Sequence, residues 1–571
     1  MATTTTNPKI IGNQSLTQFD VLIVGSGAGA SATANVLTAA GKKVLMLEAG
    51  VNGYRNLDNS DWSKVSTNFS NDELKLLFRN YIMPHQEIEP RTYRQNESAG
   101  DRTYTGEVNS MPKTVGGAAV HADVKTPRFA PNDFKLGTLL GPIADANFAD
   151  WPWTYDDLEP FYSYVEKAIG VQGLDGSDPF AGPRSSTYPM PPGVPMYAGQ
   201  LISDGAKKLG YHPFPYPTAV TSRPYKGRPA CNDCGFCGQY GCPIHAKCTP
   251  AVTLLRDALL TGNLQLQSET RAVKILTNAS GTSVTGIQVI GPDGKLQTFT
   301  ADRYVLGMSP IEDARLCFLS STAGIGNSSG MVGRNLTFHF QTLAAGIWNQ
   351  RVHGHRGRTV THGISDFRGT PGDPNHPMGG VVEFGAPDNV IGEALDYFNQ
   401  IGLIGDRLKA SMRQSPLRDH LMVITMHAED APQVTNRVDL DPAVRDLDGL
   451  PVPRITYSNH KFELDARAFY GPKMVEILQM AGTQWAFVAP ADPISISRHV
   501  FGTLRAGTDS TTSVCDATGK FHDLDNLYGT GSSLFPTSSG YNPYLTITTV
   551  GTHVGATMVS PDSPLSALPA A

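Results

Sequence analysis

"FDVLIVGSGAGASATANVLTAAGKKVLMLEAG", residues 19–50, decides the fold. It reads as an apolar strand from Asp20 to Val24, a glycine turn, an alanine-rich helix to about Ala40 and a second strand ending at Glu48. That succession is a βαβ unit. Gly25, Gly27 and Ala30 occupy the G-x-G-x-x-G/A positions, with Gly29 in the same turn. The first glycine makes the tight turn, the second lets backbone approach a pyrophosphate, and the small third residue allows close packing of helix on strand. The helix N-terminus offers unpaired N–H groups to phosphates. Glu48, closing the second strand, is placed to bind ribose hydroxyls. Strand, glycines, helix, strand and acid together point to a dinucleotide site; the bland reading is a tight structural turn in an α/β protein.

The remainder of the chain sets limits. Its 571 residues suffice for two or three domains, or for one large domain with insertions. A net charge of −6 and 17% charged residues give no basic surface for nucleic acid. The first twenty residues lack a basic start and an apolar run, and no stretch approaches 18 uninterrupted apolar residues. The expected location is therefore cytoplasmic, with reduced thiols and no intrinsic membrane span. The 58 glycines and 41 prolines predict many turns and loops. Disorder is expected only at the ends, 1–15 and 560–571.

The tail supplies a second informative block: "HVFGT" at 499–503, "NLYGTGSSLFPT" at 526–537 and "NPYLTITTV" at 542–550. With "VGGAAVHADVKTPRF" at 115–129, "MVGRNL" at 331–336 and "LPVPRITYS" at 450–458, it resembles the glucose–methanol–choline (GMC) oxidoreductases over nearly the whole chain. Within that family it is most similar to the flavoprotein subunits of gluconate, fructose and glucose dehydrogenases, and more distantly to pyranose oxidases. The resemblance implies an α/β fold with a Rossmann-like FAD-binding domain at 16–336, a discontinuous α+β substrate-binding domain at 337–495, and a return of the FAD-binding domain at 496–560. It also implies FAD as cofactor. Residues 301–316 read as strand, turn and helix, and 402–430 as a basic amphipathic helix followed by a strand.

Oxidising an alcohol removes a hydroxyl proton and a hydride, and the proton needs a general base, a role suited to histidine. By its match to the family motif, His499 is the candidate base. Asn542, before Pro543, matches the second catalytic position and would hold the same substrate oxygen; an Asn-Pro turn is the structural alternative. The resemblance places Asn542 and Pro543 against the flavin too. Gly116 and Gly117 fit a loop pressed against the flavin, where a Cβ would clash. His121 then either bonds covalently to the flavin or lines its pocket uncharged, with Ala122 where many relatives carry an aromatic residue. His339, preceded by Phe338, reads as a flavin-side structural residue.

Five of the seven cysteines fall within "CNDCGFCGQYGCPIHAKC", residues 231–248. Cys231, Cys234, Cys237 and Cys242 give C-x2-C-x2-C-x4-C-P, one residue longer in the last gap than a bacterial ferredoxin run. An iron–sulfur cluster, a metal-free reduced loop, and zinc or disulfides all stay open. A cluster would make the protein a dehydrogenase. The expected substrate is a sugar, sugar acid or polyol, and the electron acceptor oxygen, a quinone or a redox protein. The alternatives are a peroxide-forming, pyranose-oxidase-like sugar oxidase and a flavin-containing lyase.

Overall fold

Val21–Val24 and Val44–Leu47 are buried at every position, as parallel strands covered on both faces must be. The computed structural model describes residues 9–69, 89–99, 104–106, 109, 111–238, 240–386, 398, 402–415, 417, 419–491 and 497–571. In it these two strands lie at the centre of a six-stranded sheet. The order is Ile10–Gly12, Leu264–Gln267, Val44–Leu47, Val21–Val24, Arg303–Leu306, Leu527–Gly529, parallel except for the antiparallel first strand. The sheet is complete only when the tail returns to supply its last strand.

Helix Ala28–Ala39 crosses over between the two central strands, and helix Tyr544–Val559 packs along it. The contact explains the small residues on both. A Cβ on Gly551 would lie 2.4 Å from the Gly29 carbonyl oxygen, and Thr33 Oγ1 lies 2.9 Å from the Gly551 oxygen. The expected strand and helix of 301–316 are present as Arg303–Leu306 and Pro310–Ser320.

A second six-stranded sheet is antiparallel throughout, in the order Trp485–Val488, Phe340–Ile347, Leu421–Ala428, Gly380–Phe384, His362–Ile364, Pro213–Pro215. Helix Lys461–Met480 and helix Tyr197–Lys208 share its core through Ile202, Ala206, Met474 and Ile477. Tyr197–Lys208 and Pro213–Pro215 come from the stretch assigned by sequence to the FAD-binding domain, so the second layer recruits chain on both sides of residue 337. Helix Gly405–Gln414 has no buried residue, in keeping with a solvated basic face.

The ends depart from expectation. Ile10–Gly12 pairs with Leu264–Gln267, and Pro564–Ala567 forms a 3-10 turn whose Ala567 and neighbouring Leu568 pack on Val36, Phe161 and Ala556. Tertiary contacts order both segments; residues 1–8 lie outside the description. Among the described residues, no helix is long and apolar enough to cross a membrane.

Gly551→Ala tests the helix contact. A mid-helix alanine gains up to about 1 kcal/mol over glycine, whereas overpacking against backbone costs about 1–3 kcal/mol. The clash is with a carbonyl that cannot rotate away, so a net loss of stability is expected, read as a lowered Tm of the holoenzyme.

Candidate active site

A cavity of about 1200 Å³ opens between the two sheets and is lined from both. On the parallel-sheet side, the glycines of the first turn divide their work. Gly25 has a φ of 96°, and a Cβ there would sit 2.5 Å from the Gly307 oxygen, so it serves the turn and the neighbouring strand. A Cβ on Gly27 would meet nothing within 4 Å, because this residue faces the cavity. Gly29 makes room for the tail: a Cβ there would lie 2.7 Å from Gly531 Cα. Ala30 packs on Gly307, where an added Cβ would come within 2.8 Å of the alanine methyl. Glu48 lines the cavity, its carboxylate accepting from Ser26 Oγ at 2.5 Å and from the Gly50 N–H at 2.7 Å. Burial pushes its pKa up.

Gly116 and Gly117 have φ of 91° and 67°, but the atoms they avoid belong to the protein. Added Cβ atoms would lie 2.7 Å from Ala251 Cβ and 2.7 Å from Gly27 Cα respectively. The loop presses on the glycine turn itself.

The reactive side of the cavity is built by a short antiparallel bridge in which the Thr337 N–H donates to the Phe501 oxygen and the Phe501 N–H to the Thr337 oxygen, at 3.2 and 3.0 Å. The bridge sets His339 beside His499, with Nδ1 to Nδ1 at 2.9 Å. His339 Nε2 lies 2.9 Å from the Ser538 carbonyl oxygen. A carbonyl only accepts, so His339 Nε2 carries the hydrogen. Burial and the neighbouring His427 push the pKa of His339 down to about 3, so its ring is neutral and its Nδ1 is an acceptor. His499 must therefore donate from Nδ1, and its Nε2 holds the free lone pair. Burial, reinforced by His339, His427 and Lys125, also holds His499 well below an ordinary imidazole. The imidazole of His499 is thus neutral and in a fixed tautomer, and His339 stands behind it and orients it.

Asn542 immediately precedes Pro543 and helix Tyr544–Val559. Its Oδ1 accepts from Tyr216 Oη at 2.5 Å, while its buried Nδ2 has no partner among the described residues. Both Asn542 and His499 line the cavity. The antiparallel sheet adds Gln341 and His427, which face each other across adjacent strands. His427 Nε2 donates to Glu383 Oε1 at 2.8 Å, and Glu383 pairs with Lys125. Burial opposes ionisation of Glu383, but Lys125 and His427 outweigh it and hold the carboxyl at about 2.

Family models for GMC oxidoreductases match residues 146–341 and 432–551. The chain belongs to the GMC oxidoreductase family. It is 28% identical to 6'''-hydroxyparomomycin C oxidase of Streptomyces lividus over 93% of this chain and 89% of that one. It is also 28% identical to the fructose dehydrogenase large subunit of Gluconobacter japonicus, over 92% and 95%. In fold it is similar to pyridoxine 4-oxidase from Mesorbium loti, with a TM-score of 0.60 and 16% identity over 94% and 98% of the two chains. The protein is a flavin-dependent oxidoreductase acting on alcohol groups. Its residues fit the FAD of this family: Gly27 open to the cavity, the first turn of helix Ala28–Ala39 beside it, and the Glu48 carboxylate on the same wall.

His121 ends the 3-10 turn Ala118–Val120, is buried, and lines the cavity with its ring edge-on to Phe69 at 5.3 Å. The cysteine loop reaches the cavity as well, through Asp233, Cys234, Gly235 and Phe236. The iron–sulfur or zinc set of Cys231, Cys234, Cys237 and Cys242 is not gathered by the fold. Among the described residues, the only three or more His, Cys, Asp or Glu side chains with ligand atoms within 4.8 Å of one another are His339, His427 and His499. The loop is organised instead by the Lys247 ammonium, which donates to the carbonyls of Ala122, Cys237 and Tyr240 at 2.9, 2.8 and 2.6 Å. Burial pushes the Cys231 thiol up to about 11 and raises Cys237 too. All seven cysteines are free.

Lys247→Met would strand three carbonyls and should cost at least about 2 kcal/mol, given 1–3 kcal/mol per unsatisfied buried group. Cys234→Ser, on an exposed residue, should stay within about 0.5 kcal/mol. Thermal unfolding of the two variants checks the ranking.

Proposed function

We propose that this GMC oxidoreductase oxidises a CH–OH group of a sugar or polyol, with His499 as base and Asn542 as its partner on the same oxygen. The observation that carries the reading is the fixed tautomer of His499, which leaves Nε2 in the cavity wall ready to take a hydroxyl proton. Asn542 Nδ2, a buried donor with no partner among the described residues, offers a hydrogen bond to the substrate oxygen that strengthens as negative charge develops there. FAD, when bound, supplies the hydride acceptor. The wall formed by Gln341, His427, Lys125, Asp123 and Thr359 gives a polyhydroxy substrate donors and acceptors beyond the reacting oxygen. The curated relatives include an aminoglycoside oxidase and a fructose dehydrogenase, which supports this class of substrate. The argument for a dehydrogenase drawn from an iron–sulfur relay falls with the cluster. The acceptor is decided by whether oxygen or a quinone reoxidises the reduced flavin faster.

His499→Ala should slow anaerobic flavin reduction by roughly 10² to 10⁴ while FAD stays bound; unchanged reduction kinetics would eliminate the assignment. Bleaching of the flavin by substrate without oxygen also separates oxidation from lyase chemistry.

The lowered pKa of His499 has a signed consequence. The base acts unprotonated, so kcat/KM for flavin reduction should hold as pH falls through about 6.5, where an ordinary imidazole becomes half protonated. A loss of activity centred at that pH would contradict it. His121 has two readings, and acid precipitation decides between them. Flavin retained in the pellet and released by His121→Ala marks a covalent bond; flavin in the supernatant marks a lining residue.

A further inference from the structure

We infer that Tyr216 is a positioning residue that decides which end of the Asn542 amide meets the substrate. The inference rests on the reading of Asn542 as the partner of His499. An amide is nearly isosteric about its last torsion, so packing alone does not separate an oxygen facing the reacting hydroxyl from an NH2 facing it. The two orientations are chemically opposite. An NH2 stabilises the charge that grows on the substrate oxygen, and a carbonyl oxygen opposes it.

Tyr216 separates them. Its hydroxyl lies 2.5 Å from Asn542 Oδ1, and the two residues are 3% and 1% exposed. Burial, added to the nearby Glu383 charge, raises the phenol well above its ordinary pKa, so it keeps its proton. A buried O–H needs an acceptor, and Asn542 Oδ1 is the one the phenol has. Turning the amide over would make the phenol oxygen accept from Nδ2 and leave its own O–H without an acceptor among the described residues. The ring is also fixed: its backbone N–H donates to the Thr361 oxygen at 3.0 Å, and Gly363 sits so close that a Cβ there would lie 2.3 Å from Tyr216 Cδ2. The independent sign that Nδ2 awaits a ligand is that, buried, it has no partner among the described residues.

Removing the hydroxyl reverses the preference. In Tyr216→Phe, Oδ1 would be buried and unpaired unless the amide turned it toward the cavity. The cost of such an unpaired acceptor corresponds to roughly 5- to 150-fold in the flip equilibrium. The test is a double-mutant cycle on the FAD-loaded enzyme, with Tyr216→Phe, Asn542→Ala and both together, reading the anaerobic rate of flavin reduction at saturating substrate. The expected result is a loss of roughly 5- to 150-fold in Tyr216→Phe that disappears in the Asn542→Ala background, with the pH profile of His499 unmoved. Gly363→Ala, which pushes the ring away without removing the hydroxyl, should reproduce the loss. Three results overturn the inference. If Asn542→Ala is impaired but Tyr216→Phe reduces flavin at the wild-type rate, Tyr216 does not set the amide. If the two losses multiply, Tyr216 acts elsewhere. If Asn542→Ala itself reduces flavin normally, the reading of Asn542 falls first and takes this one with it.

Discussion

A carbonyl oxygen can only accept, and the reactive side of this protein depends on that asymmetry at Ser538. Its oxygen fixes the hydrogen of His339 on Nε2, His339 fixes the hydrogen of His499 on Nδ1, and the base is left with one free nitrogen. Ser538 is itself held hard. Its N–H and Oγ lie 2.8 and 2.9 Å from Glu429 Oε1, and the Asp430 N–H donates to its Oγ at 2.9 Å. Burial and the nearby Asp133 push Glu429 up to about 8. Asp430 Oδ2 then accepts from the Phe338 N–H and from Tyr457 Oη at 2.6 and 2.7 Å. Two consecutive acids at the end of one strand of the antiparallel sheet therefore grip both segments that meet at the base.

This grip explains why the tail must return. Residues 499–501 pair with 337–339, residues 527–529 complete the parallel sheet, and residues 544–559 lie against the first helix. Each contact belongs to the scaffold, and together they deliver His499 and Asn542 to one cavity, with Ser538 behind them on His339. The packing of Gly29, Gly531 and Gly551 is the steric counterpart: small residues on both partners let the tail approach the dinucleotide turn closely enough to share its cavity.

Much of this was legible in the sequence because it is local. The βαβ unit lies within thirty-two consecutive residues, and its strands and helix fall where the apolar pattern puts them. His499 and Asn542 sit in one block of tail. What was not legible is pairwise and distant. His339 and His499 are 160 residues apart, His339 and Ser538 are 199 apart, and Tyr216 and Asn542 are 326 apart; no spacing rule connects them. Local spacing also misled. The cysteine run has the look of a ligand set, yet Lys247, only five residues beyond Cys242, gathers two carbonyls of that loop together with that of Ala122. Gly116 and Gly117 have, besides the flavin contact read from sequence, close protein neighbours in Ala251 and Gly27 that no local pattern shows.

The environment of the base has a chemical cost that the rest of the site must offset. Burial, reinforced by two neighbouring imidazoles and the Lys125 ammonium, lowers the pKa of His499, and a base with a lowered pKa also pulls less strongly on a proton. Availability is gained at the expense of driving force. The hydroxyl proton of an alcohol is weakly acidic, so in the proposed mechanism the deficit is made up on the oxygen, where Asn542 Nδ2 would stabilise the negative charge. That division of labour makes the amide's orientation as consequential as the imidazole's tautomer. Both are ambident groups whose two ends are nearly the same size, and each is set from behind by a partner: a carbonyl that can only accept, and a buried phenol whose proton has the amide oxygen as its acceptor.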